Sequence, residues 1–181
     1  MQLNAPPQQG GLSAEACLAR ATSPAPSLMR RLAAFIYEGV VLFGVVMVAG
    51  AIYSISTHQT HGLHGRNGMQ AVLFLVLALY FIWFWTHGGQ TLAMRSWQLR
   101  LVSEKGLPVT LKQALIRFML SWAWFLPSLI LSWLTGWDHS KLLYAVMLSW
   151  IAIYALLSLL HPQRQFWHDA LSGTRVIDNR S

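Results

Sequence analysis

The sequence predicts an all-α membrane protein: a four-helix transmembrane bundle with a short inner-face loop between its second and third helices. Three observations predict it. Of 181 residues, 55% are hydrophobic and only 10% are charged, against about 25% charged in a soluble domain. The apolar residues gather in four long runs. The 13 basic residues, against 6 acidic ones, collect in the segments on one side of those runs. High hydrophobicity with low charge excludes a disordered chain. The net charge of +7 reads as a topology signal, because the cations lie between apolar runs and not on one polar face, so no nucleic-acid partner is expected.

Residues 1–28 are rich in Gln, Pro, Ala and Ser, as in Pro6-Pro7-Gln8-Gln9 and Ser23-Pro24-Ala25-Pro26, and are expected to form a flexible cytoplasmic tail. The single cysteine, Cys17, has no partner for an internal disulfide. The membrane domain is expected over 29–178. Its first span covers 32–54, 23 residues or roughly 34 Å at 1.5 Å per residue, enough for a hydrocarbon core of about 30 Å. The second covers 69–86 and is short. The third covers 114–134 and carries Pro127, which removes one helical hydrogen bond and frees a carbonyl near Ala123. The fourth covers 142–160, and residues 161–181 follow as a cytoplasmic C-terminal segment.

With the amino terminus inside, 11 basic residues fall on the inner side and 2, Arg66 and Lys141, on the outer. That asymmetry supports four spans with both termini cytoplasmic, whereas three spans would weaken it to 8 against 5. The natural counterpart of the inner cations is a bilayer with anionic headgroups. Trp83 and Trp85 at the inner end of the second span read as interfacial anchors.

The inner loop, 88–113, has local structure of its own. Alternation over Trp97 to Leu101, turn composition in Ser103-Glu104-Lys105-Gly106 and a return over Leu107 to Leu111 predict a small hairpin; an amphipathic helix over Gln90 to Leu99 competes with it. Thr110-Leu111-Lys112-Gln113 matches a capping box, so the third helix starts there and carries Arg117 about two turns in.

The sharpest chemical feature is Glu38. It lies seven residues below Arg31, nearly two turns and roughly 10 Å along the first helix, so the two side chains share a face. A lone charged carboxylate at that depth costs on the order of 2.5 to 3.5 kcal/mol. It therefore wants a cation, with Arg31 and Arg117 as candidates, or a proton. Near the other end stand His168-Asp169 and Ser172-Gly173-Thr174. Gln90-Thr91, Arg117, Arg31 and His168-Asp169 all lie at the inner face, where they could converge on one polar cluster. His58, His61 and His64 form a weaker candidate for metal binding, because their spacing matches no closed site. No other metal and no cofactor is implied, and no nucleophile with an assigned base is visible, so an enzyme is not expected.

Taken together, Arg30-Arg31-Leu32-Ala33-Ala34-Phe35-Ile36-Tyr37-Glu38, Gly89-Gln90-Thr91-Leu92-Ala93-Met94-Arg95 and His168-Asp169 with its small-Gly-Thr stretch resemble the RDD family of bacterial membrane proteins over roughly residues 27–178. The resemblance implies that Arg31 is the family arginine and Asp169 the second aspartate, and that Glu38 stands where the family has its first aspartate, one methylene longer. It also implies a bundle in the bacterial inner membrane and suggests a transport role. Small-ligand or ion transport with optional proton coupling through Glu38, in a homo-oligomer or with a membrane partner, is the expected function; a noncatalytic scaffold or assembly subunit is the alternative.

Overall fold

The computed structural model describes residues 13–57, 66–136 and 141–180. Among the described residues two helices are long and apolar enough to cross a membrane: α2 (Leu28–Ser56) and α3 (Arg66–Thr86). Both keep most of their apolar surface outward, with Ile36, Val40, Phe43, Met47, Leu75 and Leu79 exposed. So much apolar surface is tolerable only against lipid or another protein. Ser27 caps α2 by accepting from the Arg30 N–H, which places Arg30 and Arg31 in the first turn, at the polar end of the span.

The expected third span is corrected in form. The capping box is present: the Thr110 hydroxyl accepts from the Gln113 N–H while the Gln113 side chain accepts from the Thr110 N–H. From it runs α5 (Leu111–Ser121), which passes through a 3₁₀ turn at Trp122–Trp124 into α6 (Leu126–Thr135), with a bend of 57° between the two parts. Pro127 sits in the first turn of α6, where a missing N–H costs nothing. The carbonyl of Ala123 at the bend accepts from the Trp150 indole N–H at 2.8 Å. That indole belongs to α7 (Lys141–Leu157), the expected fourth span, whose 17 residues cover about 26 Å, short of a full hydrocarbon core. By length and composition there are two candidate spans among the described residues, or three if the bent pair is one, so the four-span bundle does not follow from these helices alone.

The inner loop departs from the expected hairpin. A five-residue helix, α4 (Leu92–Ser96), precedes strand β1 (Leu99–Ser103), so the competing helix over Gln90 to Leu99 is realised only in its middle. The partner of β1 is not Leu107 to Leu111 but β2 (Thr174–Asp178), which follows α8 (Trp167–Leu171). The two strands are antiparallel, with Leu99 opposite Asp178 and Ser103 opposite Thr174. β2 wins because its Val176 and Ile177 are buried with Leu99, Leu101 and Val102, and burial on both sides fixes register. Arg30 clamps the sheet end to α2, donating to Asp178 Oδ2 and to the Trp97 carbonyl, both at 2.5 Å.

The expected amino-terminal tail is corrected where it is described, and residues 1–12 of it lie outside the described residues. Residues Ala14–Thr22 form α1, capped by Ser13, with Cys17 buried. The Arg175 guanidinium holds its far end by donating to the Ala21 and Ser23 carbonyls. Trp83 is exposed, whereas Trp85 is buried at 3% exposure and belongs to the core, packed with Phe81, Met94, Leu101 and Phe118.

Replacing Trp150 by Phe keeps the ring and removes the donor to Ala123. The expected loss is about 1–2 kcal/mol of stability in detergent, from a half-buried carbonyl left unpaired at the bend, measured by denaturant or thermal unfolding against the native chain.

Candidate functional site

The site is built where α2, α4, α5 and α8 meet. The turn before α4 does three jobs with three consecutive residues. Gly89 has φ of +70°, and a Cβ there would stand 2.3 Å from the Leu101 carbonyl oxygen, so only glycine lets this turn lie against β1. Its own carbonyl accepts from the Leu101 N–H at 2.7 Å, and the Gln90 amide donates to the Leu99 carbonyl at 2.6 Å. With the turn docked on β1, the Thr91 hydroxyl caps α4 by accepting from the Met94 N–H and donates to Glu38 Oε2.

Glu38 is therefore corrected in its partners. Neither expected arginine pairs with it among the described residues; its two oxygens accept hydroxyl hydrogen bonds instead, Oε1 from Tyr80 at 2.6 Å and Oε2 from Thr91. Two donors and no cation solvate the carboxylate without neutralising it. Tyr80 is a functional residue that sequence reasoning missed. Its signal was a single hydroxyl in an otherwise apolar run of α3, at a depth matching Glu38 on α2.

Arg117 pairs with Asp169. Its Nε and Nη2 lie 2.8 and 2.7 Å from the same oxygen, Asp169 Oδ1, and its guanidinium stacks over the Trp85 ring at 4.1 Å. Asp169 is wholly buried. His168 Nε2 lies 3.3 Å from the same carboxylate oxygen and its Nδ1 is 3.1 Å from the Tyr154 hydroxyl. The neutral tautomer that donates from Nε2 and accepts at Nδ1 satisfies both contacts. Burial pushes the His168 imidazole down to about 4; the Asp169 carboxylate opposes this, and the Arg117 and Arg31 guanidiniums add to it. His168 is thus neutral at pH 7.

Arg31 is the odd member. It is 4% exposed and its guanidinium lies over the Phe166 ring at 4.5 Å, yet its Nε and Nη1 are buried with no hydrogen-bond partner. Asp169 attracts it through space without a bond, and Asp169 Oδ2 is itself unpaired.

These groups border one cavity of about 540 Å³, lined by Arg31, Glu38, Thr91, Arg117 and His168 at its polar part and by aromatic side chains such as Phe81, Trp124 and Phe125 elsewhere. Five of the seven residues expected to converge do so on its wall. Asp169 stands behind Arg117 and His168 as their shared acceptor, and Gln90 is spent on β1. Among the described residues, no three His, Cys, Asp or Glu side chains gather in a way that could hold a metal. His58, His61 and His64 lie outside the described residues. The model of the RDD family matches residues 25–173. No curated protein and no solved structure matches the chain.

Asp169→Asn leaves the Arg117 guanidinium buried without a counter-charge, with an expected loss of about 3–5 kcal/mol in detergent. The double variant Arg117→Leu, Asp169→Leu is expected to regain much of it, a coupling measurable by a double-mutant cycle. His168 gives a pH signature. Its unfolded form titrates near 6.5 and its folded form near 4, so the unfolded state binds more protons between them. Stability from this residue is complete above pH 6.5 and is lost as pH falls through that window. Melting curves from pH 7 to 4 are expected to show a smaller decline in His168→Gln than in the native chain.

Proposed function

We propose that this chain, which belongs to the RDD family of membrane proteins, binds a small anion at Arg31 and moves it across the bacterial inner membrane together with a proton carried by Glu38. The observation that supports this most directly is the unpartnered Arg31 guanidinium on the wall of a cavity that Glu38 also lines. A buried cation with two empty donors is costly, and an anionic ligand supplies the missing acceptors.

The spacing of the two residues gives the coupling. Glu38 is roughly 10 Å from Arg31 along the helix. A charged carboxylate at that distance disfavours an anion at Arg31 by about 1–2 kcal/mol at an effective dielectric constant near 20. Protonation of Glu38 removes that repulsion, so anion and proton favour each other's binding about tenfold, and reciprocally. The Tyr80 and Thr91 hydroxyls rotate to suit either form, donating to the carboxylate or accepting from the acid.

In this reading both ends of the chain are cytoplasmic, which places the Arg31 end of the cavity on the inner side, and a homo-oligomer completes a pathway that two or three spans cannot enclose. The role is binding and transport, not enzymatic.

Proteoliposomes containing a trapped pH indicator and challenged with chloride, phosphate or small carboxylate salts test the reading. The native chain is expected to acidify the lumen with at least one of these anions. Glu38→Gln, which mimics the protonated form, is expected to pass the anion without the proton. Unchanged proton-coupled uptake in Glu38→Gln would overturn the role of Glu38.

A further inference from the structure

A second, smaller cavity of about 310 Å³ also has Trp85 in its wall. It is lined by Arg20 of α1, Arg100 of β1, the end of α3 at Trp85 and Thr86, and the Gly88-Gly89 turn. Its charged side chains and the Trp85 indole are donors. Arg100 Nε and the Trp85 indole N–H are both buried without a partner, and Trp85 is 3% exposed. The Thr86 hydroxyl donates to the Ile82 carbonyl at 2.7 Å. No carboxylate lines the cavity, and neither arginine forms an ion pair among the described residues.

Two guanidiniums brought from different elements onto one cavity repel each other. Burial pushes the Arg100 guanidinium down and the Arg20 charge adds to it. An anion in the cavity would offset that repulsion. Arginine forks and an indole N–H approaching from separate directions suit a group with several acceptor oxygens spread around one centre. The level of the cavity also matters. Trp85 and Thr86 close the apolar helix α3, so the cavity stands where hydrocarbon gives way to headgroups, the depth at which basic pockets take anionic lipid.

We propose that the Arg20–Arg100 cavity binds a phosphoryl group, supplied by an anionic phospholipid headgroup or by free phosphate. The site is separate from the Arg31 cavity: Trp85 forms a wall of both, and Arg117 covers one face of that ring.

The test uses the full chain in a neutral detergent, with dioctanoyl phosphatidylglycerol, dioctanoyl phosphatidylcholine and inorganic phosphate as probes, and reads adducts by native mass spectrometry and ligand-induced shifts in melting temperature. The native chain is expected to retain phosphatidylglycerol in preference to phosphatidylcholine. Arg20→Gln and Arg100→Gln are each expected to weaken that binding roughly tenfold or more. Arg20 lies in the last turn of α1, at the chain's periphery, so its loss leaves the core intact. Arg100→Lys keeps the charge without the fork and is expected to bind at an intermediate level, which separates lost recognition from lost folding. Retention of the lipid with no response to inorganic phosphate assigns the headgroup as the source. An equal, Arg20-dependent response to inorganic phosphate assigns free phosphate. Equal binding of phosphatidylcholine, binding unchanged in both glutamine variants, or binding lost only in Arg31→Gln would overturn the proposal. The last outcome would leave the Arg31 reading standing, and failure of the proton-uptake assay would leave this one standing.

Discussion

The ion pair of Arg117 with Asp169 is the contact on which the rest of the inner-end structure depends. It joins α5 to α8 with both arginine bonds on one carboxylate oxygen, and α8 leads directly into β2. The Asp169 backbone carbonyl accepts from the Ser172 and Thr174 hydroxyls, so the small-Gly-Thr stretch is the turn that launches the strand. β2 then holds β1, β1 holds the Gly89 turn, and the turn delivers Thr91 to Glu38. A carboxylate in α2 is thus oriented by an aspartate near the other end of the chain, through a succession of backbone contacts. Buried pairs of this kind add little net stability over an apolar replacement. The value of this one lies in fixing which surfaces meet.

Much of this was legible in the residues. The capping box, the apolar runs of α2 and α3, and the depth of Glu38 below Arg31 are local patterns, and local patterns survive folding. The pairing of β1 was not legible, because Leu107 to Leu111 and Thr174 to Asp178 are both short segments with strand-like residues, and only three-dimensional burial separates them. The same limit explains Arg117. Glu38 and Asp169 are both carboxylates near one level of the bundle, and charge alone does not choose between them. α1 escaped notice because its stability comes less from its own composition than from Cys17 being buried and Arg175 holding its last carbonyls. Pro127 announced a break in the third helix, but the indole from α7 that satisfies the freed carbonyl could not be read from the proline.

The charges at the site form an unequal set. Two arginines, one aspartate and a neutral histidine leave a positive remainder at Arg31, while Glu38 is solvated by hydroxyls and kept apart. The Glu38 side chain reaches across to Tyr80 on the facing helix, whose hydroxyl donates to its Oε1. A side chain bonded only to rotatable hydroxyls can gain or lose a proton without breaking an ion pair, which an arginine partner would have made expensive. Trp85, shared as a wall by both cavities and covered by Arg117, ties the electrostatics of this site to the C-terminal end of α3.

The antiparallel register of β1 with β2 also constrains the order in which the molecule can be completed. Membrane helices enter the bilayer as the chain emerges, so α2 and α3 are in place, and β1 is made, well before residues 174–178 leave the ribosome. Until then β1 has an open edge and Leu99, Leu101 and Val102 lack their cover, a condition that invites pairing with another chain. The Gly89 and Gln90 contacts to β1 come from residues made just ahead of it and occupy the Leu101 N–H and the Leu99 carbonyl at once. These contacts lie on the edge of β1 away from β2 and coexist with it in the finished sheet, so the turn before α4 closes one edge of β1 early and leaves only the β2-facing edge open during synthesis.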